Sequence, residues 1–179
     1  STLTSTLNLG QQAQFTSNVS GGISPYHMQW YSNGNPIAGE TDTILNYYPT
    51  ASGNENINVL VTDSSGTSAT SNTITILINP VVSSIISASA DYINMGQTVQ
   101  FDSSVNGGTL PYTYQWYSNG YPITSAKSSS YSFSPNSAGT YSIHLVVKDS
   151  LNTESRSNTR VVVVSDEFAV TIASSTSVI

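Results

Sequence analysis

The chain has 179 residues, no cysteine and a net charge of −6 at pH 7 from ten acidic and four basic side chains. That balance excludes a nucleic-acid binder, which needs a basic stripe to meet phosphates, and the lack of cysteine removes disulfides and thiolate metal sites while leaving the redox compartment open. Charged residues are only 8% of the chain, whereas Ser, Thr and Asn make up 70 of 179, a neutral, hydroxyl-rich surface typical of exported β-proteins and unlike a cytosolic enzyme.

No apolar run approaches the roughly 18 residues of a membrane span, so no membrane contact is expected within this chain. The sequence opens at Ser1 rather than at Met, which reads as a processed protein or a fragment.

Taken in order, the chain states one pattern twice. Residues 10–79 lie over residues 96–165 at a constant offset of 86 without a gap, and about 28 of the 70 aligned positions are identical. A period this long makes each copy a small domain rather than one turn of a solenoid. The expected units are 1–79 and 80–165, with 166–179 read as the first strand of a further module or as a donor strand.

Period-two alternation places every second residue on one face of a strand. Ala13, Phe15, Ser17 and Val19 alternate in the first copy and Val99, Phe101, Ser103 and Val105 in the second. The strand from Tyr26 to Tyr31, and its repeat from Tyr112 to Tyr117, points Met28 and Trp30, or Tyr114 and Trp116, inward. It leaves Gln29, Tyr31, Gln115 and Tyr117 outside. Asn33-Gly34 and Asn119-Gly120 follow, a pair that tolerates the positive φ angles of a tight type I′ hairpin. Next come Leu45 and Tyr47 against Tyr131 and Phe133, then Ile57, Val59 and Val61 against Ile143, Leu145 and Val147. The last runs are Thr73–Ile78 and Thr159–Val164. With no helix-period segment, the fold class is all-β, each copy a small antiparallel sandwich. Asn79-Pro80 leaves two or three residues between copies, so a stiff short linker is expected.

The string Gly…Phe…Gly-Gly…Pro-Tyr…Gln-Trp-Tyr-Ser-Asn-Gly…Pro-Ile…Gly…Asp-Ser, present in both copies, resembles the immunoglobulin-like and PKD-like modules repeated in archaeal and bacterial cell-surface proteins. The resemblance implies two tandem immunoglobulin/PKD-like β-sandwiches at the cell surface or outside the cell. It implies that Trp30 and Trp116 are the buried tryptophans and that Ser103 and Ile143 stand where related domains carry a disulfide. It also makes Tyr141 the tyrosine of the corner motif. In the first copy that position is Glu55, so this copy is expected to lack the corner hydrogen bond and to be the less stable.

Chemistry-bearing residues are few. His27 and His144 alternate with inward residues and should face solvent, and no nucleophile–base pair or phosphate loop appears, so no catalytic or cofactor site is expected and the chain reads as a non-enzyme. Calcium is the one ion weighed, with Asp91, Asp166 and Glu167 near the joints as weak candidate ligands. Asp63-Ser64 and Asp149-Ser150 read as turn formers. Asn18-Val19-Ser20 is a glycosylation sequon. Tyr31, Tyr48, Tyr92, Tyr117 and Tyr121 are the tyrosines that could meet a cell-surface glycan.

The first copy has no counterpart to Pro80–Ile86, whereas residues 166–179 align with 80–93. Two readings follow: an array of modules divided between repeats, or a donor strand in which Val170, Ile172 and Val178 fill another copy. The function expected is a non-catalytic structural or assembly module of an extracellular surface protein, such as a spacer, a surface-layer part or an adhesin stalk. Its partners would be other copies of itself or neighbouring modules. The alternatives are a filament subunit joined by donor-strand complementation and a glycan-binding accessory module of a secreted enzyme.

Overall fold

A computed structural model describes residues 5–173, and among these every regular element is a β-strand. The strands of the first copy are β1 (Ser5–Asn8), β2 (Ala13–Thr16), β3 (His27–Ser32), β4 (Asn35–Pro36), β5 (Ile44–Tyr47), β6 (Gly53–Thr62), β7 (Ser68–Thr70) and β8 (Ile74–Asn79). They are followed by β9 (Ser83–Ala88), β10 (Tyr92–Asn94), β11 (Val99–Asn106), β12 (Thr113–Ser118) and β13 (Tyr121–Pro122). The last are β14 (Ser130–Phe133), β15 (Gly139–Lys148), β16 (Glu154–Arg156) and β17 (Arg160–Ser165). The offset of 86 carries β3–β8 onto β12–β17 residue for residue.

The chain forms two compact units. The first holds residues up to Ser83 with Asn106–Tyr112 and Asp149–Thr153; the second holds Ser84–Val105, Thr113–Lys148 and the chain from Glu154 onward. Two loops that the repeat assigns to the second copy are therefore part of the first unit.

In the first unit one sheet runs β1-β8-β6-β3-β4, with β7 also on β6, and β2 pairs with β5 in a second sheet. The two sheets enclose Phe15, Trp30, Leu45, Ile57, Val59, Ile76 and Ile78. The second unit repeats this as β10-β17-β15-β12-β13, with β16 on β15, facing a three-stranded sheet β14-β11-β9. Neighbouring strands are antiparallel except β1 with β8 and β10 with β17, which are parallel. The short run from β9 to β10 thus leaves one sheet and joins the other.

Each core is centred on a tryptophan. Trp116 is fully buried, its ring centroid 5.8 Å from Phe101 and 5.9 Å from Tyr131, and its indole Nε1 donates to Ser128 O at 2.9 Å. Trp30 sits 6.4 Å from Phe15 and donates to Asp42 O at 2.8 Å. The carbonyl partner lets a ring with one polar atom be buried without an unmet donor.

The hairpins have the geometry their sequence asks for. Asn33 and Gly34 have φ of 49° and 78°, Asn119 and Gly120 have 50° and 83°, and two residues separate the paired Ser32 and Asn35. Each turn asparagine also accepts a backbone bond, Asn33 Oδ1 from Asn56 N at 3.0 Å and Asn119 Oδ1 from Ser142 N at 2.8 Å. The glutamines expected outside do further work on these hairpins. Gln29 Nε2 donates to Trp30 O and Ile37 O, and Gln115 Nε2 to Trp116 O and Ile123 O, at 2.8–2.9 Å.

Two expectations fail for a physical reason. The strand expected over Ala13–Val19 ends at Thr16, because β5 is its partner only as far as Ile44 and among the described residues no second neighbour extends it, whereas β11 has β14 on one side and β9 on the other and reaches Asn106. His144, expected in solvent, is buried: it lies on β15 between β12 and β17, opposite Tyr117, and the two rings stack at 4.8 Å and 12°. Desolvation, followed by the nearby Arg156 charge, holds its pKa below the ordinary histidine value. His27 is exposed.

Replacing Trp116 by Ala is expected to remove about 3–5 kcal/mol of stability from the second unit, read as a lower urea midpoint by circular dichroism. Tyr141→Phe deletes the hydroxyl that bonds both the carbonyl and the hydroxyl of Ser137 and should cost about 1 kcal/mol in the same assay.

Candidate assembly site

The sites expected from sequence divide into those that staple the fold and those left open. Tyr141 Oη donates to Ser137 O four residues upstream at 2.9 Å, with its ring 5.0 Å from Phe133, and Ile143 is fully buried. Ser103 is half-buried and spends its hydroxyl on Ser129 O at 2.6 Å. Glu55, at the position matching Tyr141, accepts from Ser32 Oγ at 2.6 Å and from the Tyr47 hydroxyl. Burial of the Tyr47 ring and the bond to Glu55 push that phenol above its ordinary pKa. A carboxylate reaching sideways to two hydroxyls thus occupies the place of the corner tyrosine in the first copy.

The aspartates are largely committed. Asp63 Oδ1 accepts from Ser65 N, Ser65 Oγ and Thr67 N at 2.6–3.0 Å, and its Oδ2 accepts from Ile23 N at 3.1 Å. Asp149 repeats this with Leu151 N at 3.0 Å, Thr153 N at 2.8 Å and Thr109 N at 2.8 Å. It also accepts from the amide of Asn8, a fully buried residue whose side chain also bonds Thr153 Oγ1 and Thr109 Oγ1. Burial works to raise the Asp149 pKa, but the bonds from Thr109, Asn8, Thr153 and Leu151 outweigh it and hold the carboxyl below the usual range. Asp91 pairs with Arg160 at 2.6 Å, and Asp166 and Glu167 are exposed. Among the described residues no group of three or more His, Cys, Asp or Glu is placed to hold a metal ion.

Asn18 is exposed, as are Tyr48, Tyr92 and Tyr121. Tyr31 and Tyr117 are half-buried, against the expectation that they lie outside. Val170 and Ile172 lie in an exposed segment without regular secondary structure that also carries exposed Phe168, while Val178 falls outside the described residues.

The open feature belongs to the first unit. Beside β2 lies a groove of about 450 Å³ whose floor is apolar, formed by Phe15, Trp30, Ile57 and Val59, and whose rim carries Asn72 and Ile74. Its counterpart in the second unit is occupied by β9. There Ser84 and Ile86 are buried, Ser84 Oγ lies 3.0 Å from Ser155 Oγ, and Asn158 clamps the Ile86 backbone from both sides, accepting from its N–H at 2.8 Å and donating to its carbonyl at 3.1 Å. At the offset of 86, Asn158 corresponds to Asn72 and Ser155 to Ala69, both on the groove wall of the first unit. Among the described residues the Asn72 amide has no hydrogen-bond partner. The clamp was legible in principle, since Ser71-Asn72-Thr73 and Ser157-Asn158-Thr159 are identical; Asn8 was not, because it precedes the repeated region.

A sequence model of the PKD domain matches residues 85–163. Two structures of the titin fragment I67–I69, one an E-to-A mutated variant, superpose with a TM-score of 0.51 at 14% identity, covering 92% of this chain and 62% of theirs. The fibronectin(III)-like modules of CbhA from Clostridium thermocellum align over 95% of both chains at 13% identity, with a TM-score of 0.43. No curated protein matches in sequence. Residues 85–163 are therefore similar to a PKD domain, and the described residues share the all-β, immunoglobulin-like fold of the titin fragment.

Because the Asp149 pKa is depressed in the folded state, its contribution is present above the unfolded value of about 3.9 and is lost as pH falls through the lower folded value. Asp149→Asn should lower stability at pH 7 and make the decline below about pH 4 shallower than in the parent chain, as checked by urea midpoints across pH 2–7.

Proposed function

We propose that this protein is a non-catalytic structural and assembly module of an extracellular surface protein, its immunoglobulin/PKD-like units serving as spacers and joining surfaces. The observation that carries this reading is the contrast between committed chemistry and open backbone. Asp63, Asp149, Glu55 and His144 are used to tie loops and strands together. What the first unit leaves open is instead an apolar groove alongside a strand edge. Such an edge offers main-chain hydrogen bonds and side-chain pockets to another strand, the chemistry of assembly by β-augmentation. The sparse charge and abundant hydroxyls support an address outside the cytosol.

Brief protease treatment of intact producing cells tests this: the protein should be degraded or shed while cytosolic markers survive. Protection until the cells are lysed would refute a surface role.

A further inference from the structure

We infer that the groove of the first unit is filled by residues 168–172 of a second copy of this chain, an inference that rests on the assembly reading above and names the partner.

The second unit supplies the template. The strand filling its groove presents alternate residues inward, Ser84 and Ile86, both buried. At the offset of 86 these align with Val170 and Ile172, which are 76% and 98% exposed, and Phe168 two positions earlier is 84% exposed. Within the described residues an apolar groove stands open and a segment with the matching alternation is exposed. Large apolar side chains at alternate positions are costly to leave in water without a partner.

The pairing is also matched in detail. Where Ser84 meets Ser155 through a hydroxyl pair in the second unit, the corresponding positions are Val170 and Ala69, both apolar. Polar faces polar in the occupied groove, and apolar faces apolar in the open one. The anchor is kept: Ile172 corresponds to Ile86, and Asn72 to the Asn158 that grips the Ile86 backbone. The face given and the face received differ, so the contact is heterologous and continues from copy to copy instead of closing as a dimer.

The absence of native cysteine makes the contact directly readable. Ala69→Cys and Val170→Cys are placed in separate chains, mixed and oxidised. The mixture should give a covalent dimer on a non-reducing gel well beyond either chain alone, and a chain carrying both substitutions should give a ladder. Absence of the cross-link, as when another segment fills the groove, overturns the inference, and so does a doubly substituted chain that closes only on itself. Val170→Glu with Ile172→Glu alters only exposed positions and so leaves folding intact; it should abolish concentration-dependent growth in light scattering, and growth that survives it overturns the inference. A chain that stays monomeric yet is shaved from intact cells would leave the surface reading standing and remove this one.

Discussion

A strand edge beside an open core must be paired or covered, and much of this molecule follows from how each unit meets that demand. Backbone N–H and C=O groups left away from water without partners cost as much as the bonds they forgo. The second unit answers with β9, which pairs with β11, lays Ser84 and Ile86 over the core and lets β11 run for eight residues. In the first unit β2 has β5 alone and spans four. The same alternating sequence therefore gives strands of different length. A strand is a property of its neighbours as much as of its residues.

Small sandwiches without disulfides or metal must fix their loops by other means. Here the fixing is done by hydrogen bonds that recur at the same offset. A tryptophan donates to a carbonyl twelve residues on, a glutamine spans the hairpin beside it, and an aspartate ties its own turn to a distant loop. Glu55 shows that the scheme tolerates exchange: the corner tyrosine is replaced by a carboxylate that finds Ser32 and Tyr47. That exchange weakens the simple inference that losing the corner hydroxyl leaves the first copy short of a bond.

What the sequence made legible was local or periodic. The Asn-Gly hairpins, the inward tryptophans and the aspartate turns depend on residues within a few positions of one another, or on alternation along one strand. The burial of His144 was not legible, because it depends on Tyr117 lying opposite in the register of β12 and β15. Nor was Asn8, whose bonds reach residues more than a hundred positions away. The groove was half legible: residues 166–179 align with 80–93, so the repeat shows a second segment of the β9 type. Only the packed β9 shows what such a segment does.

Register is the remaining constraint on a strand arriving from another chain. The segment Phe168-Ala169-Val170-Thr171-Ile172-Ala173 alternates large apolar residues with small or polar ones. A slip of one position would turn Ala169, Thr171 and Ala173 toward the floor formed by Phe15, Trp30, Ile57 and Val59, and would return Phe168, Val170 and Ile172 to water. A slip of two would keep the large residues inward but bring Phe168 or Ile172 against Ala69 in place of Val170, changing the volume at that wall by more than a close-packed site accepts without strain or void. The Asn72 amide can grip any backbone presented to it, as Asn158 grips that of Ile86. The alternation and the Ala69 wall therefore select the register, while the asparagine clamp adds hold without discrimination.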